Sequence, residues 1–205
     1  LCISNIIIEI DSDEPPIMDG SSKEFCEALL KAKIVKQKAN VNAIIIDRPI
    51  SYLDKKNNIE LHVLPSKKSR ITYILDYDLE ELSCQEFSID LNQKELLKNI
   101  MPARTFCLAS EIIPLLNNNL IKGGSIDNAL IFKDKELSKK DIDFLIERFK
   151  VKKDDFKSDS LIGNIELRYD NEPIRHKILD LIGDLSLIGR PIQGHIIASR
   201  SGHSG

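Results

Sequence analysis

The sequence lacks the features that would place the protein in a membrane, outside the cell or on a nucleic acid. No apolar run approaches the roughly 20 residues that a membrane-spanning helix needs, so we expect no integral membrane segment. The first residues lack the charged and apolar regions of a signal peptide. The net charge of −3 gives no electrostatic reason to expect a nucleic-acid partner.

The sequence also has few cysteines, and they are not arranged in pairs. The four cysteines are scattered along the chain, without a C-x-x-C spacing: Cys2, Cys26, Cys84 and Cys107. This distribution argues against a disulfide framework and against a thiolate zinc site. We therefore expect mostly buried, reduced thiols and a cytoplasmic location. Internal repeats and low-complexity tracts are absent as well.

What is present indicates a soluble globular protein of class α+β. The chain has 205 residues, of which 42% are hydrophobic and 30% are charged, enough for one or two domains. Helical periodicity predicts helices over residues 21–34, 93–101, 138–149 and 170–190. Short β-branched or alternating runs predict strands at residues 5–10, 42–47, 50–53, 59–64, 70–75, 86–91, 128–132, 165–169 and 195–199. We expect the strands between residues 50 and 91 to form an antiparallel meander.

The helix over residues 170–190 is the best-marked element of the chain. Glu172 suits the positive end of the helix, Pro173 fits its first turn, and Gly189 is a natural C-terminal stop. One face is apolar and comprises Ile174, Ile178, Leu181, Leu185 and Ile188.

A second face of this helix carries His176, Asp180 and Asp184 at spacings of i, i+4 and i+8. An imidazole and a carboxylate one turn apart can bind the same zinc ion. The alternative is a solvated row of polar side chains, since short motifs produce many false positives. The neighbouring Lys177 and the concentration of three of the four histidines between residues 176 and 203 favour the metal site.

Five motifs occur in order along the chain. They are Met18-Asp19-Gly20-Ser21, Ala103-Arg104-Thr105-Phe106, the run from Gly123-Gly124-Ser125 to Ala129, the run from Arg175-His176-Lys177 through Asp180 to Leu185, and Ser201-Gly202-His203. With these motifs the sequence resembles the zinc-dependent UDP-3-O-acyl-N-acetylglucosamine deacetylases (LpxC) of lipid A biosynthesis. The resemblance covers nearly the whole chain.

The resemblance implies two similar domains, each a β-sheet packed on helices, with the active site between them. Residues 1–47 would be the C-terminal part of the first domain, and residues 48–205 would be the second domain. The chain opens at Leu1 without a methionine and closes on Gly205 directly after a histidine motif. We therefore expect both ends to be cuts through a larger protein.

The resemblance also implies the roles of individual residues. His176 and Asp180 would be two zinc ligands, and Lys177 would contact the substrate or hold negative charge. Thr105 would help to stabilise the oxyanion. Asp184 would orient His203, which would act as the general acid toward the leaving amine.

A passage for the acyl chain would be lined by apolar residues of the second domain: Phe106, Ile112, Leu116, Leu120 and Ile121. In the family the third zinc ligand and the general base are an adjacent Glu and His in the first domain. This sequence contains no Glu-His pair. We therefore expect the chain by itself to hold two ligands of three and to be inactive alone.

Three alternatives to this interpretation remain open. The chain could be a catalytically dead or regulatory module that keeps the fold. It could be another zinc hydrolase with an H-x-x-x-D pair, in which the apolar residues are simply core. It could also be part of a bifunctional protein, because some relatives are fused to a hydroxyacyl-carrier-protein dehydratase. The preferred acyl length and the oligomeric state are left open by the sequence.

Overall fold

A computed structural model of the chain describes residues 3–77, 79–117, 126, 128–156, 160–163 and 165–202. Helices and sheets are mixed along these residues, which confirms the predicted α+β class. The contacts divide the chain into two units. The first comprises Leu1–Glu9, Ser22–Ala103 and Ile174–Gly205, and the second comprises Ile10–Ser21 and Arg104–Pro173. The predicted domain boundary after Asp47 is not tested by this division, and it stays a prediction.

Most of the regular elements fall where the sequence predicts them, but residues 106–108, 109–117 and 192–193 form elements that it did not predict. The strands are β1 (Ile44–Ile45), β2 (Ile50–Asp54), β3 (Ile59–Leu64), β4 (Arg70–Leu75), β5 (Gln85–Asp90), β6 (Phe106–Leu108), β7 (Leu130–Phe132), β8 (Ile192–Gln193) and β9 (His195–Ser199). The helices are α1 (Lys23–Lys31), α2 (Gln93–Asn99), α3 (Ala109–Asn117), α4 (Lys139–Phe149) and α5 (Glu172–Ser186). Across the described part of the chain, none of these helices has the length and apolar character needed to cross a bilayer.

The main sheet of the first unit has the strand order β2-β3-β9-β4-β5. Strand β9 is antiparallel to β3 and parallel to β4, and it separates the two hairpins β2-β3 and β4-β5. The predicted meander is therefore wrong at its centre. Alternation along a strand shows which side chains are buried but not which strand lies alongside, and β9 is far away in sequence.

Helix α5 is tied to the rest of the first unit by Arg175. Its guanidinium lies 4.2 Å from the centre of the Phe87 ring in β5. One of its nitrogens donates to both the main-chain and the side-chain oxygen of Asn99, each at 3.1 Å. These contacts fix the helix that carries the candidate metal ligands against β5 and the end of α2.

The predicted strand at residues 5–10 is wrong. These residues are irregular, and Ile6, Ile7 and Ile8 expose 49%, 90% and 68% of their surface. A β-branched run forms a stable strand only when a neighbour completes its hydrogen-bond ladder, and no strand in the described ranges pairs with it. Residues 165–169 are not a strand either.

Ser21 and Ser138 each begin a predicted helix with an acidic residue three positions later, the spacing of a capping box, and the two have different outcomes. Ser138 caps α4 and shares a capping box with Asp141, as its spacing predicts. Helix α1 begins instead at Lys23, without a side-chain cap from Ser22. The hydroxyl of Ser21 donates to the Asp19 carboxylate at 2.7 Å, a local bond that competes with capping.

The second unit has its own apolar core, in which α3 and α4 lie beside the parallel pair β6-β7. The buried members of this core are Ala109, Ile112, Ile131, Leu145, Val151, Phe156 and Ile162.

Candidate active site

Helix α5 presents its apolar face to the core over its first half. Ile174, Ile178 and Leu181 are buried, as the sequence predicts. Leu185 continues this face and is half-buried, but the prediction for Ile188 is wrong, because Ile188 lies beyond the end of the helix and is 48% exposed. The buried stripe holds the remaining side chains of the helix in fixed directions.

His176 and Asp180 are brought together one turn apart on α5. The Nε2 atom of His176 lies 3.3 Å from Oδ1 of Asp180, and His176 is 9% exposed. The Nδ1 atom lies 2.9 Å from the carbonyl oxygen of Ala103. Because a carbonyl can only accept, Nδ1 must carry the hydrogen, and the lone pair of the neutral ring is on Nε2. The ring therefore presents its metal-binding nitrogen to the carboxylate.

The donor atoms of this pair fit a zinc ion. Two ligands at about 2.0–2.1 Å from a tetrahedral zinc lie about 3.3–3.4 Å apart. The separation of His176 Nε2 from Asp180 Oδ1 matches this spacing. Among the residues that the structure describes, no group of three or more His, Cys, Asp or Glu side chains gathers around one point. The pair thus supplies two ligands and no more within that part of the chain.

Lys177 adds a buried positive charge beside the pair. Its Nζ atom lies 3.2 Å from Oδ2 of Asp180, and its side chain is 16% exposed. Burial lowers the pKa of Lys177, but the charge of Asp180 outweighs burial and raises that pKa overall. Burial raises the pKa of Asp180, and the neighbouring His176 and Lys177 outweigh burial and lower that pKa. Both groups are therefore charged near neutral pH.

Tyr73 anchors the loop that follows β9. Its side chain is 1% exposed, and its hydroxyl donates to the main-chain oxygen of Ser201. His203 comes two residues later and lies outside the described residues. Asp184 is half-buried on α5, two turns after His176. The pairing of Asp184 with His203 stays a prediction.

Thr105 belongs to the second unit, where its main chain is held from both sides. Its N–H donates to the Gly20 carbonyl at 2.8 Å, and its carbonyl accepts from Leu130 N–H at 2.8 Å. Gly20 has a φ of +78°, and a Cβ built on it would lie 1.9 Å from the Asn128 carbonyl oxygen. The glycine of the Met18-Asp19-Gly20-Ser21 motif is thus required by both conformation and space.

A buried ion-pair network joins the motifs within the second unit, and the sequence analysis missed it. Glu172 is 0% exposed and accepts from Arg104 Nε at 2.9 Å and Nη2 at 3.0 Å. It also accepts from the main-chain N–H groups of Arg104 at 2.8 Å and Arg168 at 2.7 Å. Arg168 continues to Asp19, with 2.7 Å between Nη2 and Oδ2.

The environment of Glu172 keeps it ionised. Burial raises the pKa of Glu172, but the hydrogen bonds from Arg104 and Arg168 outweigh burial and lower that pKa. The sequence assigned Glu172 only to the positive end of the helix. One sequence signal could have predicted the network. Asp19 and Arg104 are charged residues within two of the five motifs, and charged residues that are buried usually form hydrogen-bonded ion pairs.

Of the residues predicted for an acyl passage, the structure describes the side chains of Phe106 and Ile112. Phe106 is half-buried and meets Phe132 edge to face, with 6.1 Å between ring centres. Ile112 is 3% exposed within the core cluster. Leu116 belongs to α3, but its side chain is not among the described ones. Leu120 and Ile121 lie outside the described residues. Their role in an acyl passage stays a prediction.

Comparison with known proteins identifies the family of the chain. The profile of the family LpxC, UDP-3-O-acyl N-acetylglycosamine deacetylase, matches residues 1–152 and 155–205. The UDP-3-O-acyl-N-acetylglucosamine deacetylase of Thermodesulfovibrio yellowstonii is 40% identical over 202 residues, which are 98% of this chain and 60% of that protein. The corresponding protein of Chlamydia pneumoniae is 38% identical over 203 residues, 98% of this chain and 63% of its own length.

The bifunctional enzyme LpxC/FabZ of Chlorobaculum tepidum is 38% identical over 206 residues, covering 100% of this chain and 44% of that protein. The chain thus spans between 44% and 63% of the lengths of these three relatives. The match of the family profile over nearly all of its residues shows that the chain belongs to the LpxC family of UDP-3-O-acyl-N-acetylglucosamine deacetylases.

Proposed function

We propose that the protein catalyses the zinc-dependent hydrolysis of the N-acetyl group of UDP-3-O-acyl-N-acetylglucosamine, giving UDP-3-O-acyl-glucosamine and acetate. This is the committed step of lipid A biosynthesis in the family that the chain resembles. The observation that carries the proposal is the His176–Asp180 pair, whose 3.3 Å spacing and fixed imidazole tautomer fit a zinc ion. Family membership supplies the substrate class.

Amide hydrolysis needs an activated water, a partner for the oxyanion and a proton for the leaving amine. Zinc bound to His176 and Asp180 would supply Lewis acidity and lower the pKa of its water to about 7. Lys177 supports this chemistry, since its buried ammonium places positive charge beside the pair, where negative charge develops. Thr105 is the proposed hydroxyl donor to the same oxygen.

The proton for the amine is assigned to His203, with Asp184 as its partner. A carboxylate beside a histidine keeps the ring protonated near neutral pH and so ready to donate. The anchoring of Ser201 by Tyr73 supports this assignment, because it fixes the main chain two residues before His203. The acyl chain is assigned to the apolar passage from Phe106 to Ile121.

The compartment proposed for this reaction is the cytoplasm. Cys26, Cys84 and Cys107 are free thiols in the described part of the chain, as a reducing environment allows. UDP-linked sugars are the proposed small-molecule partner, and the proposal involves no nucleic acid.

The test is a deacetylase assay on the complete gene product and on the 205-residue chain, each with and without zinc. Because these residues contain no adjacent Glu-His pair, the chain alone is expected to bind zinc weakly and release no acetate. His203→Ala and Asp184→Asn should lower kcat in the complete protein without loss of zinc. A complete protein that binds zinc and never releases acetate would support a catalytically dead module.

Two further measurements separate the remaining alternatives. A hydroxamate with a long apolar tail should inhibit far more strongly than a tailless one, whereas equal inhibition would favour a different zinc amidohydrolase. Two relatives are named bifunctional LpxC/FabZ enzymes. An assay for hydroxyacyl-carrier-protein dehydration by the complete gene product tests whether that second activity is present here.

A further inference from the structure

Two side chains of helix α5 form hydrogen bonds with the N–H and the C=O of one peptide group, the one between Ala103 and Arg104. The N–H of Arg104 donates to Oε1 of Glu172 at 2.8 Å. The carbonyl of Ala103 accepts from Nδ1 of His176 at 2.9 Å. This N–H and this carbonyl belong to the same peptide unit, and Glu172 and His176 lie one helical turn apart. A continuous series of hydrogen bonds therefore connects the Glu172 carboxylate, through this peptide group, to the imidazole of His176.

We propose that Glu172 is a positioning residue for the zinc ligand His176, acting through the Ala103–Arg104 peptide. The carboxylate holds and polarises the peptide N–H, which makes the Ala103 carbonyl a stronger acceptor for Nδ1–H. The stronger bond fixes the tautomer with its lone pair on Nε2 and makes that nitrogen a better metal ligand. The inference rests on the proposed zinc site.

Three observations support the relay. Glu172 is 0% exposed, so water does not compete for its oxygens. Glu172 accepts from the main-chain N–H groups of Arg104 at 2.8 Å and Arg168 at 2.7 Å, and these bonds favour its ionised form with or without the guanidinium. His176 is 9% exposed, and hydrogen bonds in series polarise one another most effectively away from water.

The chemistry follows a known rule for metal-binding histidines. The ring nitrogen that does not bind the metal donates to a carboxylate or a carbonyl, and this bond raises the basicity of the ligating nitrogen. In this chain the carboxylate and the carbonyl act in sequence, with a peptide group between them. The Glu172 carboxylate thereby influences the imidazole of a zinc ligand through a peptide group.

The experiment must separate the relay from the ion pair, because both involve Glu172. Glu172→Gln leaves a neutral acceptor on the peptide and removes the negative charge. Arg104→Met breaks the same ion pair but leaves the carboxylate on the N–H of residue 104, and so it is the matched control. The double variant Arg104→Met/Glu172→Gln removes both charges together, which avoids an unpaired charge in the core and preserves folding.

The first readout is the tautomer of His176 in the metal-free complete gene product. It is measured from the ¹⁵N shifts of the ring at about pH 8.5, two units above the ordinary histidine pKa of about 6.5. A spectrum of His176→Gln assigns the signals. Wild type and Arg104→Met should show the form protonated on Nδ1, and both variants with Gln at position 172 should show a mixture.

The second readout is zinc affinity, measured by competition with a chromogenic chelator. The two variants with Gln at 172 should bind zinc about tenfold more weakly, the lower end of the effect of losing an outer-shell partner. Arg104→Met should bind as wild type does. The proposal is overturned if the double variant keeps the wild-type tautomer and affinity, or if Arg104→Met changes them equally. A wild-type protein that binds no zinc refutes the proposed function instead, while the tautomer still tests the relay.

Discussion

Replacing Gly20 with alanine should strongly destabilise the protein. A Cβ at Gly20 would lie 1.9 Å from the main-chain oxygen of Asn128, and the φ of +78° disfavours any L side chain. The left-handed conformation costs roughly 1–2 kcal/mol for alanine. Displacing a neighbour in a packed region costs typically about 1–3 kcal/mol more. Gly20→Ala should therefore lower the free energy of unfolding by roughly 2–5 kcal/mol.

Gly183→Ala is the control for this prediction and should have the opposite sign. Gly183 lies within α5, and a Cβ there meets nothing within 4 Å. Alanine should stabilise the helix by about 0.5–1 kcal/mol, since glycine is a poor helix former. Urea denaturation followed by circular dichroism measures both changes. Hydrogen exchange at the Thr105 amide, which bonds to Gly20, should also accelerate in Gly20→Ala.

The reasoning is refuted if Gly20→Ala is as stable as the wild type, or if Gly183→Ala is destabilised to the same extent. The first result would mean that the Met18-Asp19-Gly20-Ser21 segment does not pack against Asn128 as described, and the second that the space around Gly183 is not open.

Other predictions concern the core, the thiols and the response to acid. Ile178 is 0% exposed, so Ile178→Ala should cost about 2–5 kcal/mol in urea denaturation, and a cost below 1 kcal/mol would contradict its burial. Burial raises the pKa of Cys107 to about 12, so alkylation mapped by mass spectrometry at pH 8 should label the exposed Cys84 and spare Cys107 in the native protein. Glu172 and Asp180 have pKa values below their ordinary 4.5 and 3.8, so they stabilise the fold above those values. Urea stability should fall as the pH drops below about 4.5, and a rise on acidification would contradict the sign.

Local patterns predicted the elements of this fold well. The apolar periodicity of α5 and the alternation along β3 and β4 depend on neighbouring residues. The bounds of β3 and β4 follow from the sequence, whereas α5 ends at Ser186, before the predicted stop at Gly189. The capping box of α4 is local as well. What failed depends on distant partners. The sequence gives no sign that β9 separates β3 from β4, because strand pairing is decided by contacts between residues far apart.

In the candidate site as well, contacts within one helix could be predicted and contacts between distant segments could not. The spacing of His176 and Asp180 on one helix face predicts their proximity, because four residues make about one turn. The bond from His176 to the Ala103 carbonyl spans 73 residues, and the Arg104–Glu172 pair spans 68. Such contacts between segments remote in sequence cannot be found from periodicity. The resemblance identified both segments as motifs without showing what joins them.

The N-terminal residues illustrate a third case. The run at residues 5–10 has the composition of a buried strand, yet Ile7 is 90% exposed. Composition indicates that a segment can form a strand, whereas a stable strand also needs a partner.

Zinc binding by the complete gene product is the direct test of the proposed His176–Asp180 site. Metal content after dialysis would be compared between wild type, His176→Ala, Asp180→Ala and the control His62→Ala, whose histidine lies in β3 and bonds to Ser51. We expect one zinc per molecule for wild type and His62→Ala, and loss of zinc in the other two. Zinc retained in full by His176→Ala and Asp180→Ala would refute this site.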